Sequence, residues 1–274
     1  MIHQRKIVNE KLPIIPWMDR NLSRLPGTLP LSEAPLFVKC DKYKEQLKLR
    51  DKLVSSISKT VCMAQNGTEV VLDECIDWIK AKLKLSSDYV VEKNYLIRPD
   101  NVKIWYNGQP KMETIARIIQ EDILIHKKDP VVEKFQLIAG ALCFPSHWTL
   151  SQKLGMNLKR IHKPVPEYSG DIANRVERLF FGLRPNCSIW RANWTVKNSP
   201  ILHIPLMEGD VLPNKFSLDK EWWIRVEKQT FSKLPSSGAV IFGIHTYVAS
   251  PASLKKEQLD TLLEKLQFKN LIHH

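Results

Sequence analysis

An α+β fold, an antiparallel sheet with a helical N-terminal layer leaning on it, is what this sequence of 274 residues predicts. Three observations point there. Residues 41–85 carry apolar side chains at helical spacing, and the last third of the chain alternates as strands do. Between them lies Leu137–Phe144, apolar or small at both parities, as in a strand covered on both faces.

Taken in order, residues 1–38 are punctuated by proline and lack sustained periodicity, and LPGTLPL (Leu25–Leu31) reads as an extended strap. From Asp41 to Ala64, Tyr43, Leu47, Val54, Ile57 and Val61 fall near helical spacing, with lysines and acids between them. Glu69–Leu85 repeats the pattern through Val71, Cys75, Ile76, Ile79 and Leu83. Asn66-Gly67 joins the two into a helical hairpin. Tyr89–Trp105 turns strand-like and ends at Tyr106-Asn107-Gly108. Met112–Gln120 is a helix candidate, and Glu121–Ile125 leads into a polar Lys127–Pro130 loop.

After the Leu137–Phe144 strand, Pro145 breaks the ladder, because it has no amide hydrogen and forces its predecessor extended. Thr149 or Ser151 can cap a short helix that Gly155 ends. A second turn, Asn157–His162, runs into Pro164 and Pro166, which hold the chain stiff beyond His162. Asp171–Leu183 is a further helix, with Ile172, Val176, Leu179 and Phe180 on one stripe. Strands follow at Ser188–Val196, Glu221–Phe231 and Ala239–Val248. Ser250-Pro251 then opens a helix striped by Leu259, Leu262, Leu263 and Leu266. The expectation is a single domain over 1–274: strap and helical layer to 88, sheet core 89–248, C-terminal helix 249–274.

The net charge of +12 invites a nucleic-acid reading. The lysines are spread along the chain, however, with no arginine-rich block and no nucleic-acid module, so solubility or docking to an acidic partner is preferred. Cys40, Cys62, Cys75, Cys143 and Cys187 form no CxxC pair and read as free thiols of a reducing compartment. No apolar run has signal-peptide length or the roughly 18 residues of a membrane span, so the expected location is cytoplasmic.

His162 stands out because one histidine on a fixed backbone beside a buried strand is what a haem or metal axial site needs. Cys143 and His203 are rival ligands, each with a plain structural reading as well. Arg191 lies on the polar parity of an otherwise aromatic strand, and a guanidinium there must meet a carboxylate or face a cavity. Glu227 alternates with Arg225 and Gln229, so the three point to one side. His3, His126, His273 and His274 fall at the termini or in the polar loop and receive no role.

Several longer motifs occur together: Gln120-Glu121-Asp122, ALCFPSHW (Ala141–Trp148), IHKPVPEY (Ile161–Tyr168), IWRANW (Ile189–Trp194) and RVEKQTFSKLPSSGAVIFGIHTYV (Arg225–Val248). In this order they resemble the haem-dependent oxidative N-demethylase alpha-subunit-like family, from the LPGTLPL segment onward. The resemblance implies a PAS-like haem domain and a monooxygenase that removes a methyl group from a small amine using O2. It implies haem b with His162 as the iron ligand and His147 and His245 as pocket residues. Arg191 is then expected to polarise bound oxygen or hold a propionate, and Glu227 to bind the cationic amine or pair with Arg191 or Arg225. His147 stands where the family leads one to expect arginine or glycine, and His245 and Lys228 where arginine is usual. The sequence carries no GxGxxG after a strand, no Walker motif and no iron–sulfur cysteine set, so electrons are expected from a separate flavin or iron–sulfur reductase. Neither a nucleic acid nor a membrane is an expected partner, and a homodimer is a compatible assembly. A PAS-like haem sensor and a haem-free scaffold are the competing readings.

Overall fold

A computed structural model describes residues 6–23, 27–32, 35–163, 170–211 and 216–272. Its centre is a seven-stranded sheet in which every neighbouring pair is antiparallel, ordered β1-β8-β9-β10-β6-β7-β2. The strands are β1 (Leu29–Pro30), β2 (Cys62–Ala64), β6 (Asp122–Lys128), β7 (Phe135–Ala141), β8 (Ile189–Lys197), β9 (Trp223–Lys233) and β10 (Val240–Ala249). A separate three-stranded sheet, β3 (Val90–Val91), β4 (Tyr95–Ile97) and β5 (Lys103–Trp105), accounts for the strand-like Tyr89–Trp105 stretch. Leu96 and Ile104 anchor it in the core, while Trp105 is exposed. The fold is therefore mixed α and β with a largely antiparallel sheet.

Helices α1 (Tyr43–Val61), α2 (Glu69–Leu83) and α3 (Lys111–Ile118) follow the predicted apolar stripes. Their buried Leu53, Ile79 and Ile115 pack with Ile123, Ile125, Ala139 and Ile241 of the sheet. Burying each such side chain contributes roughly 1.5–3 kcal/mol, so this face is the main store of stability. On the same face, Leu262 and Leu266 of α6 (Lys256–Ile272) pack with Trp17, Val226 and Tyr247. The opposite face is covered by α5 (Asp171–Gly182), through Phe180, and by the segment following β7, through Leu150. Gly140 permits that second contact, because a Cβ there would lie 2.7 Å from Leu150 Cδ1 and 2.9 Å from Leu124 Cδ2.

Several expectations shift in detail. The strap does more than cross the surface: Leu29 and Pro30 pair with Trp190 and Ile189 as an edge strand. That placement suits Pro30, since an edge strand does not need every amide hydrogen. β2 continues directly from α1 and pairs with β7, so the sheet takes two strands from residues before 89. Residues 151–155 form turns and no helix; the nearby cap is Asn157, whose side chain accepts from Arg160 N and starts α4 (Leu158–Ile161). Ser250 does cap, but what it opens is a 3-10 turn, Pro251–Ser253, with α6 beginning only at Lys256. Pro164 and Pro166, expected to stiffen the chain after His162, lie outside the described residues.

The Gln120-Glu121-Asp122 motif is where the layers are tied together. Asp122 accepts from Cys143 N at 2.7 Å and Phe144 N at 2.9 Å, fixing the exit of β7. It also pairs with Arg50 at 2.7 Å, and that fully buried guanidinium donates to the carbonyls of Ala116, Gln120 and Glu121. Truncating one member of such a pair typically costs about 3–5 kcal/mol, because the other charge is stranded.

Candidate functional site

Side chains alternate across a strand, so register assigns each residue a face. On β9, Arg225, Glu227 and Gln229 share one face, and their β8 partners Thr195, Asn193 and Arg191 lie beside them. Lys197 has the same parity on β8. From β10, Thr246, Ile244 and Phe242 complete this face, which is the one covered by α5 and the segment after β7.

The polar part of this face is crowded with cations. Arg225 Nε donates to Glu227 Oε1 at 2.9 Å, and its other nitrogens donate to Phe144 O at 2.6 Å and Leu202 O at 3.1 Å. Gln229 Nε2 donates to the second Glu227 oxygen at 3.2 Å. Lys197 Nζ donates to Ser146 Oγ at 2.6 Å. Burial, with the Arg225 charge added and Glu227 opposing, pulls the Lys197 ammonium down to about 8. Arg191 is the most exceptional of the group. Burial lowers its pKa, Glu227 offsets only part of that, and its Nε is buried without a hydrogen-bond partner. Orphaned buried donors are rare and ask for an explanation. Among the described residues, three cations therefore share one carboxylate here, in a partly desolvated setting that favours an incoming anion.

Histidines border the strip. His162 follows α4, with Nδ1 2.9 Å from Leu158 O. Burial lowers its pKa against that hydrogen bond, and the charges of Lys153 and Arg191 lower it further, so the imidazole is neutral near pH 7. His147 sits on a backbone with φ of 63°, a conformation uncommon for a residue with a Cβ, and its amide is held by Ile204 O at 2.8 Å. Burial and the charges of Lys197 and Arg225 lower its pKa as well. His203 places Nδ1 2.8 Å from Cys143 O, beside a small cleft shared with Trp148 and Leu150.

Two predicted residues are not brought to this strip. Cys143 is fully buried in the core shared with α1 and α3, and burial pushes its thiol up to about 12, which disfavours a thiolate. His245 pairs in register with Lys228 and points to the other face of the sheet, where Nδ1 lies 3.1 Å from Glu121 Oε1.

One residue was missed. The sequence suggests a polar loop around His126, but the residue belongs to β6 and is almost fully buried. Its ring stands edge-on to Phe180 at 5.4 Å, and Nδ1 has no hydrogen-bond partner. Burial and the nearby His162 push its pKa to about 3. The signal was available as parity: His126 alternates with Leu124 along the same strand.

Fold and site define a class: an α+β protein whose sheet carries a half-buried polar strip in which, among the described residues, Arg191, Lys197 and Arg225 share the Glu227 carboxylate, flanked by histidines whose pKa values burial lowers. The family model described as "Haem-dependent oxidative N-demethylase, alpha subunit-like" matches residues 35–268, and the chain belongs to that family. Haem dependence and oxidative N-demethylation are thus properties of its family. The residues present fit a haem. The orphaned Arg191 and the desolvated Lys197 suit propionate carboxylates, neutral His162 suits iron, and Phe242, stacked on Phe231 at 4.8 Å, gives an apolar wall. Among the described residues, no helix is long and apolar enough to cross a membrane.

Proposed function

We propose that this chain is the haem-carrying component of an oxygenase that removes a methyl group from a small amine. The observation that carries this reading is Arg191, a half-buried side chain whose Nε is buried and without a partner, near neutral His162, within a family described by haem-dependent N-demethylation. When bound, haem supplies the iron at which dioxygen is activated to oxidise an N-methyl carbon.

The chain's own residues divide the remaining work. His162 holds the iron; the contact of Nδ1 with Leu158 O orients the ring, and burial keeps it unprotonated. Arg191 and Lys197 neutralise propionates, which also relieves the cost of burying these two cations. Arg225 clamps Phe144 and Leu202, so it fixes the turn that sets His147 at the rim of the pocket. Glu227, oriented by Arg225 and Gln229, is the acceptor for the amine nitrogen. His245 has no part in this pocket because it faces across the sheet. Electrons arrive from a separate flavin or iron–sulfur reductase, for which the +12 surface is a docking face.

The ultraviolet–visible spectrum of purified protein tests the reading. A Soret band with one haem per chain is expected. Protein that neither carries nor takes up haem defeats it.

A further inference from the structure

The stretch that leaves β8 returns along the segment after β7 and grips the short helix that leads into His162. Ile204 N donates to Pro145 O at 3.0 Å, and Ile204 O accepts from His147 N at 2.8 Å. Further along, Glu208 N donates to Gln152 Oε1 at 2.9 Å. The Glu208 carboxylate then accepts from Lys153 Nζ, and from the two terminal nitrogens of Arg160 at 3.3 and 3.1 Å. Lys153 Nζ also donates to Ile161 O at 2.9 Å, the carbonyl immediately before His162. We propose that Lys153 and Glu208 form a clasp that positions His162 for iron, which makes both of them positioning residues of the haem site. This inference rests on the reading of His162 as the iron ligand.

The need for a clasp follows from the size of α4. It has four residues, and one helical turn fixes too few hydrogen bonds to hold its own geometry. His162 takes its orientation from this turn: Leu158 O accepts from His162 N at 3.2 Å and lies 2.9 Å from His162 Nδ1. Any shift of α4 therefore turns the imidazole. Asn157 caps the start of the helix. Ile161 O, at the other end, is by position one of the carbonyls that a helix leaves without an intrahelical partner. An ammonium satisfies such a carbonyl and suits the negative end of the turn.

Lys153 can serve there only if its own charge is met, because its side chain is almost wholly buried. Glu208 supplies the carboxylate. Arg160 and then Lys153 hold the Glu208 carboxyl down to about 2, so it is ionised throughout the neutral range. Arg160 belongs to α4 itself, so Glu208 holds the helix at two points, one side chain directly and one backbone carbonyl through Lys153. Loosening the groups that hold a ligating imidazole typically costs about ten- to a hundredfold in metal affinity.

The test compares wild type with Lys153→Met, Glu208→Ala and the double variant, each as the full chain with and without haem. In the haem-free chains, hydrogen exchange over residues 157–163 reads the clasp, and about tenfold faster exchange is expected in each variant. In the loaded chains, transfer of haem to apomyoglobin is expected to be about ten- to a hundredfold faster, with a shifted Soret band. Glu208→Ala strands a buried ammonium, so its thermal midpoint is expected to fall. The double variant is expected to recover that midpoint and still release haem fast. A merely structural contact gives no such divergence. Wild-type exchange over 157–163 in a folded single variant, wild-type haem release in any variant, or restored haem release in the double variant overturns the proposal. Failure of the underlying reading shows with the clasp intact: His162→Ala then releases haem no faster than wild type, and the role of the clasp at iron falls with it.

Discussion

Arg225 and Glu227 stand two residues apart on one face of β9, joined at 2.9 Å, and this pair couples the sheet to the loops over the proposed pocket. Arg225 reaches onward to Phe144 O and Leu202 O, while Glu227 keeps its second oxygen on Gln229. The ion-pair role considered from sequence is therefore real for Arg225, and any amine that binds Glu227 must share the carboxylate with it.

That sharing gives the first prediction. Glu227→Gln retains an acceptor for Arg225 and removes the charge. Haem content is expected to stay, with amine binding weakened about ten- to a hundredfold, as for a lost charge-assisted hydrogen bond of roughly 1–3 kcal/mol. Titration of the haem spectrum with methylamines measures it. Unchanged titration removes Glu227 from substrate binding, and loss of haem makes it a purely structural partner of Arg225.

Iron ligation is read from paired variants. His162→Ala is expected to lose most haem, and His203→Ala to keep it, because His162 feels the Arg191 charge of the strip whereas the charge beside His203 is Asp122. Haem-to-protein ratio and Soret position decide between them. A normal Soret band in His162→Ala moves the ligand elsewhere, with buried His126 the next residue to replace.

Arg191 provides a test in which stability and binding move in opposite directions. Its Nε is buried and unpartnered, so Arg191→Met removes a desolvated charge and is expected to leave the thermal midpoint of the haem-free protein equal or higher. Haem affinity is expected to fall about tenfold or more through loss of a propionate partner. A variant that binds haem as tightly as the wild type places Arg191 outside the pocket.

Lys197 gives a pH dependence. Its pKa in the fold is about 8, below the 10.5 of an ordinary lysine, so between these limits the unfolded chain binds more protons than the folded one. Stability then rises with pH across that window, as the penalty for burying the ammonium beside Arg225 disappears. Lys197→Met is expected to be more stable than the wild type at pH 7, with the gap closing as pH rises from about 8. Glu227 and His147 face the same group, so the measurement is the difference between the two proteins in urea, pH by pH. A gap constant with pH refutes the shift.

Much of this was legible in the residues. Periodicity placed α1, α2, α5, β8, β9 and β10 within a few positions, because helix and strand repeats are local properties of the chain. Alternation also put Arg225, Glu227 and Gln229 on one side, as found. Boundaries failed where local cues competed. The Lys127–Pro130 cluster hid that β6 runs on through His126, and the short strands β1 and β2 are held by partners rather than by pattern.

What the sequence by itself determined was the set of elements, the parity of each strand and the motifs that mark the family. Tertiary structure alone decided which face each parity looks upon. Sheet order sets β10 between β9 and β6, so His245 meets Glu121 across more than a hundred residues, away from Arg191 and Glu227. It also decided that Arg191 Nε is buried without a partner and that His126 is buried against Phe180. Those facts follow from desolvation and long-range packing, and neither leaves a periodic trace in the chain.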